Sequence, residues 1–317
     1  MKLAIINDYQ NLAKGAADWD SLPDEVTVDV FGGKLTDKAE AIKVLQPYDI
    51  VVTAREETPF SADVVEALPN LKLLISHGDR NAALDMEALE KAGVTVCGTS
   101  YGYPNATVEL TWAMILAHYK NLVGEVQAIR DGGWGAGLPH GLTNQTLGVV
   151  GLGRLGGGVA RVGAALEMNI IAWSENLTQE RCDEFGAKLV TKEELFSQAD
   201  VISVHVVLSD RSRGLVGADD IARMKPTAFL LNTSRGPVVD EAALIKALAE
   251  KKIGGAGLDT FDVEPLPADH PFRKDENVIC TAHIGGRTYE NFAARYIDAL
   301  DDVKAWLDGN PVRLFGK

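Results

Sequence analysis

The sequence predicts an α/β protein of two doubly wound, parallel-sheet domains with a cleft between them. Three observations carry this expectation. Short β-rich runs alternate with helical segments for most of the chain, the pattern of strands covered by helices on both faces. The alternation is interrupted once, by a long apolar helix and a glycine-rich loop, and then resumes. The length of 317 residues exceeds what one small core usually organises.

In chain order, "KLAII", "VTVDVF", "DIVVT", "LKLLI" and "VTVCG" are each followed by a stretch of helical period or a turn, and form the first series. From about Asn105 to Leu122, "NATVELTWAMILAHYKNL" is apolar on most sides and has no internal glycine or proline, so it is expected to be one long, well-buried helix. The loop "RDGGWGAGLPHG" follows, and a second alternating series runs from "TLGVVG" to "NVICTAH". A last helix is expected from Thr288 to about Leu307, with Tyr289, Phe292, Ala293, Tyr296, Leu300, Val303 and Leu307 on one apolar stripe. It follows the second series and is placed back against the first. The expected domains are therefore residues 1–103 plus 287–317, and residues 104–286.

Composition narrows the function. The chain is 46% hydrophobic and 24% charged, as in an ordinary soluble globular protein. With 31 basic against 45 acidic residues the formal charge is −14, so nucleic acid and anionic membrane surfaces are poor partners. Asp8 interrupts "MKLAIINDYQ" early and no long apolar run follows, so neither a signal peptide nor a membrane span is expected. Cys97, Cys182 and Cys280 are odd in number and far apart, and read as reduced thiols of a cytoplasmic protein. No two histidines have metal-ligand spacing, and no metal is expected.

The cofactor signal is "TLGVVGLGRLGGGVARVGAALEMNIIAWS". A β run leads into Gly151-Leu152-Gly153-Arg154-Leu155-Gly156, then a helix, then a second β run ending near Trp173. The first glycine permits a tight turn, the second lets the backbone approach a pyrophosphate, and the third allows close packing of helix on strand. The helix N-terminus offers free N–H groups to the phosphates. This is the pattern of a Rossmann-type dinucleotide site. Ser174 stands where an acid that grips the ribose hydroxyls is expected, with Glu175 just after it. Glu175 opposes an added phosphate and no arginine stands beside it, so NAD is favoured over NADP.

Three further stretches, "FLLNTSRGPVVDEAAL", "GAGLDTFDVEPLP" and "CTAHIGGRTYE", each follow a β run. Arg235, Glu264 and His283 are thus expected at strand ends or adjacent loops, where open α/β sheets bind ligands. With the glycine motif, and in the same order, these stretches resemble the D-isomer-specific 2-hydroxyacid dehydrogenases over nearly the whole chain. The resemblance implies a flavodoxin-like substrate-binding domain, a Rossmann-like NAD-binding domain and a homodimer that interconverts a 2-keto acid and a D-2-hydroxy acid. By the same resemblance Arg235 holds the substrate carboxylate and carbonyl, a task suited to a planar bidentate donor. His283 is the proton donor and Glu264 the carboxylate on its other nitrogen. Asp259 contacts the nicotinamide amide, and Arg154 and Leu155 lie at the pyrophosphate. Ser174, Thr233, Gly285 and Gly286, with His283, face the cofactor. "LKLLISHGDRNAALDMEAL" matches the family loop that grips the substrate carboxylate, which places His77, Gly78, Asp79 and Arg80 in the pocket.

The chain departs from the family pattern at three places. Ala282 replaces the usual proline before the histidine, Asp79 and Arg80 replace a small apolar residue and glycine, and Val207 replaces the proline of an "HxP" turn. The chain is expected to lack the C-terminal regulatory domains of some phosphoglycerate dehydrogenases.

Plainer readings stand beside these. His283 alone reads as a structural histidine, Arg235 as an ion-pair partner of Asp240 or Glu241, and Glu264 as a turn carboxylate. His77 divides evenly between substrate contact and loop hydrogen bonding. His205 reads as cofactor-side packing, and His118, His140 and His270 as structural. Arg80 and Arg287 either meet a second anionic group of the substrate or pair with Asp79 and Glu290. Glutamate rather than glutamine at position 264 separates the chain from formate dehydrogenases of the same fold. Two alternatives stay open: an NADH-binding, corepressor-like regulator with negligible turnover, and an NADPH-preferring glyoxylate or hydroxypyruvate reductase.

Overall fold

A computed structural model of the chain describes every residue except Arg55, Asp79, Tyr101, Gly102, Pro104 and Lys317. The chain divides into two compact units, Met1–Tyr103 with Thr288–Lys317, and Pro104–Arg287.

In the first unit, β1 (Lys2–Ile5), β2 (Thr27–Val30), β3 (Ile50–Thr53), β4 (Leu73–Ser76) and β5 (Thr95–Gly98) form one sheet in the order β2-β1-β3-β4-β5. Every pairing is parallel. β3 and β4 are buried along their whole length, which is why they read as continuous apolar runs without alternation. The helix Tyr289–Leu307 covers one face, laying Phe292, Tyr296, Leu300 and Val303 against Leu3, Ile5, Ile50 and Ile75. Burying each such side chain contributes about 1.5–3 kcal/mol relative to exposure. Thr288 caps this helix by accepting from the Asn291 N–H. Tyr289, expected in the apolar stripe, is 60% exposed because it is the first residue past that cap and sits at the end of the contact.

In the second unit, β6 (Thr146–Val150), β7 (Asn169–Trp173), β8 (Lys188–Leu189), β9 (Val201–Val204), β10 (Phe229–Asn232), β11 (Gly255–Leu258) and β12 (Val278–Cys280) form a second sheet. Its order is β12-β11-β10-β9-β6-β7-β8, again all parallel. Strand order reverses between β6 and β9, so a crevice opens beyond their C-terminal ends, at Gly151 and His205.

The long apolar segment forms one helix, as expected, but it ends before Leu122. It is helical over Ala106–Tyr119, and Asn121 then turns left-handed at φ 46°, a conformation asparagine tolerates. A separate helix, Leu122–Arg130, follows with no buried residue. The first of the two packs on the helix Arg154–Ala165, where a Cβ at Gly158 would stand 2.8 Å from Val108.

Candidate active site

The glycine motif folds as its spacing requires. Gly151 leaves β6 with φ +93°, and a Cβ there would stand 2.5 Å from the His205 carbonyl oxygen. At Gly156 a Cβ would stand 2.0 Å from the Gly151 oxygen. Both positions are glycine because the fold has no room for anything larger. Gly153 differs, since a Cβ there would meet nothing within 4 Å. It is exposed and forms the N-cap of the Arg154–Ala165 helix, whose first N–H groups point outward past it. The protein does not need a glycine at 153, whereas a phosphate approaching the helix end does. Arg154 beside it is exposed and Leu155 half-buried.

A cavity of about 340 Å³ continues from Gly151, Leu152 and Gly153 to Ser174, Glu175 and Asn176 after β7, and to Val206, Ser209, Arg211 and Ser212 after β9. Ser174 is half-buried and Glu175 exposed. No arginine stands beside Glu175 in sequence, but Arg211 lines the same cavity. It reaches the cavity from the loop after β9, a neighbour through topology rather than sequence. His205 bonds Ser203 Oγ through Nε2 at 2.7 Å, while its buried Nδ1 has no partner among the described residues. Burial pushes the ring down to about 4, so the imidazole is neutral. An open glycine at a helix N-terminus and a continuous groove together fit a dinucleotide.

The second set of residues lies on the loops after β10, β11 and β12. Asn232 ends β10 and ties the first loop, donating from Nδ2 to the Arg235 oxygen at 2.9 Å and accepting from the Ser234 N–H and hydroxyl at 3.1 and 2.8 Å. Arg235 is half-buried, with Nη1 donating to the Ser234 oxygen at 2.7 Å. Gly236 then lets this loop touch the next one main chain to main chain, since a Cβ would stand 2.0 Å from the Phe261 carbonyl carbon. On that second loop Glu264 Oε1 accepts from the Phe261 N–H at 3.0 Å, and Oε2 meets His283 Nδ1 at 2.7 Å.

Burial pushes the Glu264 carboxyl up, but the His283 hydrogen bond, the Phe261 N–H and the charges of His283 and Arg235 outweigh it and hold the group below the usual carboxylate range. An ionised Glu264 only accepts, so Nδ1 of His283 donates to it and Nε2 is the ring nitrogen that this contact leaves over. His283 itself is left-handed at φ 52°, a conformation costing about 1–3 kcal/mol. Asp259, 1% exposed, holds it there. Its Oδ1 accepts from Thr281 Oγ1 at 2.5 Å and the Ile284 N–H at 2.7 Å, and its Oδ2 from the Gly285 N–H at 2.8 Å.

The family model for the NAD-binding domain of D-isomer specific 2-hydroxyacid dehydrogenases matches residues 112–285. The chain belongs to this family. It is 33% identical over 296 residues to a D-3-phosphoglycerate dehydrogenase of Synechocystis, covering 93% of the chain and 53% of that protein. It is 37% identical over 237 residues to a glyoxylate reductase of Thermococcus litoralis, covering 72% and 71%. A phosphoglycerate oxidoreductase structure from Vibrio cholerae superposes with TM-score 0.87 at 33% identity, over 98% and 99% of the two chains. The chain spans about half the length of the first curated relatives it matches. The cofactor of the matched domain is NAD(H).

In this family member, several residues that organise the site carry no motif signal. Thr107 and Thr111, on the Ala106–Tyr119 helix, bond the Gly285 oxygen at 3.0 Å and the Thr233 hydroxyl at 3.1 Å. Asn232 and Gly236 lie within the quoted "NTSRGP", where Thr233 and Arg235 draw notice and they do not. A polar residue ending an apolar strand was the available clue. Gly286 is half-buried and Arg287 exposed.

Of the residues expected at the substrate loop, His77 is 2% exposed and stands edge-on to Phe292 and Tyr296. Burial and the charge of Arg295 push it down to about 3, so it is a neutral packing ring. The Gly78 N–H bonds Thr99 Oγ1 at 2.9 Å, Arg80 is exposed, and Asp79 lies outside the described residues. Among the described residues no helix is long and apolar enough to cross a membrane, and no cluster of His, Cys, Asp and Glu could hold a metal.

Proposed function

We propose that the chain is an NAD(H)-dependent oxidoreductase interconverting a 2-keto acid and a D-2-hydroxy acid. The observation that carries this reading is the 2.7 Å contact between His283 Nδ1 and an ionised Glu264. Bound NADH supplies the hydride. Arg235 pairs with the substrate carboxylate and orients the carbonyl. His283 Nε2 gives its proton to the carbonyl oxygen as negative charge develops there, and Glu264 stabilises the imidazolium before transfer and fixes the ring's direction. In the reverse reaction the same nitrogen accepts the hydroxyl proton. Asp259 positions the histidine through Thr281, Ile284 and Gly285, and would help hold the nicotinamide amide of a bound cofactor. Thr233, Gly285 and Gly286 border the same face.

Loss of NADH absorbance with glyoxylate, hydroxypyruvate, pyruvate, oxaloacetate or 2-ketoglutarate is the test. Turnover of at least one, with a D-hydroxy acid as product, is the expected result. NADH binding without turnover of any of them removes the catalytic reading and favours a nucleotide-sensing regulator.

The same reading places the protein in the cytoplasm as a homodimer. Exposed apolar residues are densest not on the long buried helix, where Leu116 is 39% exposed, but on Leu122–Arg130 and the loop after it. Leu122, Val123, Val126 and Ile129 share the helix surface, and Trp134 and Leu138 are 94% and 95% exposed. Patches of this kind are rare on monomers, and a two-fold contact would bury the same one on both copies. Light scattering of Val126→Glu/Trp134→Glu is expected to give a monomer. A mass unchanged from the dimeric wild type, or a wild type that is itself monomeric, removes this interface.

A further inference from the structure

The far end of the nucleotide cavity is not built to reject a phosphate. NAD and NADP differ only by a dianion on the adenosine ribose, so discrimination depends on which charges line the space beyond β7. A carboxylate at the strand end would bond the ribose hydroxyls and repel that dianion. Ser174 occupies the position instead and lines the cavity. Its hydroxyl is neutral and donates as readily to a phosphate oxygen as to a ribose oxygen.

Opposite charges flank it. Glu175 lines the cavity but is exposed, where water and salt screen its repulsion to about 1 kcal/mol at 4 Å. Arg211 is the one cationic side chain among the described residues of the lining, and no partner among them engages it. Its base is fixed by a hydrogen-bonded turn. The Ser212 hydroxyl donates to the Val207 oxygen at 2.6 Å and accepts from the Ser209 N–H at 2.7 Å, and the Ser212 and Arg213 N–H groups both reach the Ser209 oxygen at 3.0 Å. Ser212 is 8% exposed, so this turn belongs to the folded wall and is no loose tip. An exposed guanidinium that lines a groove without a carboxylate of its own, screened like Glu175 but rooted on a fixed turn, is a ready partner for phosphate.

We propose that the chain takes NADP(H) as well as NAD(H), with Arg211 as the charge partner of the 2′-phosphate, Ser174 as its hydroxyl donor and Glu175 as the counterweight that keeps NAD(H) competitive. The proposal rests on this cavity being the nucleotide site. Arg211 therefore sets cofactor preference without touching the reacting atoms.

Fluorescence titration of the full chain with NADH and with NADPH, at low and high salt, tests it without requiring turnover. The wild type is expected to bind NADPH within about tenfold of NADH, with the NADPH affinity falling more steeply with salt. Arg211→Glu is expected to lower the NADPH-to-NADH affinity ratio by about tenfold or more, and Glu175→Gln to raise it several-fold. NADH binding with NADPH weaker than tenfold in the wild type overturns the proposal. A ratio unmoved by Arg211→Glu overturns the assignment, and since the ratio is internal to each variant, partial misfolding does not imitate that result. Failure of both nucleotides to bind removes the cavity reading itself and this inference with it.

Discussion

His283→Ala is expected to lower kcat for keto-acid reduction by about 10²–10⁴-fold, the range that a positioned general acid contributes. Glu264→Gln should cost less, because an amide oxygen can still accept from Nδ1 while the charge that favours imidazolium is gone. A stability measurement separates these roles. Glu264 is held below the usual carboxylate range in the folded chain, so its stabilising contribution is present above the unfolded value of about 4.3 and fades as pH falls through the depressed folded value. The melting temperature of Glu264→Gln should therefore lie below the wild type at pH 7 and meet it at strongly acid pH. The side chain is 36% exposed, so the gap corresponds to about 1 kcal/mol or less. A gap that persists in acid would assign Glu264 to packing, and a His283→Ala enzyme with undiminished turnover would remove the proton donor.

The second large effect is a contrast between two glycines of one motif. Gly156→Ala puts a methyl group 2.0 Å from the Gly151 oxygen, a contact with main chain that no rotamer relieves. Overpacking costs about 1–3 kcal/mol where side chains can move aside, and more is expected where they cannot. The variant should melt well below the wild type or fail to accumulate. Gly153→Val adds more atoms but into open space, so its melting temperature should stay close to wild type. Its NADH affinity should fall by at least tenfold, or about 1.4 kcal/mol, because the side chain occupies the space before the helix N-terminus. Calorimetry on both variants with and without NADH reads the two effects separately. Wild-type affinity in Gly153→Val would take the pyrophosphate away from this helix.

What the sequence made legible was what is contiguous in it. The glycine turn, its strand and its helix lie within one short stretch, so spacing alone describes their geometry. The parallel sheets were likewise readable, because strands buried on both faces, such as Ile50–Thr53, must be apolar throughout. Arg235, Glu264 and His283 came from the order of three motifs rather than from any one of them. Arg211 was missed because strand order, not sequence distance, brings the loop after β9 beside the end of β7. Asp259 was noticed for a cofactor contact, yet its bonds to Thr281, Ile284 and Gly285 are long-range and leave no periodicity. The break after Tyr119 depends on the backbone angle of Asn121, which hydrophobic pattern does not encode.

The two threonines on the Ala106–Tyr119 helix have a mechanical consequence. Thr107 and Thr111 are one turn apart on a rigid rod, about 6 Å along its axis, and each fastens a different loop. One loop carries His283 and the other leads to Arg235. A thermal shift of the rod displaces both anchor points together, in the same direction and by the same amount. Such displacement is common-mode. The spacing between the loops of His283 and Arg235 is thereby shielded from motions that would move either one against the rest of the sheet.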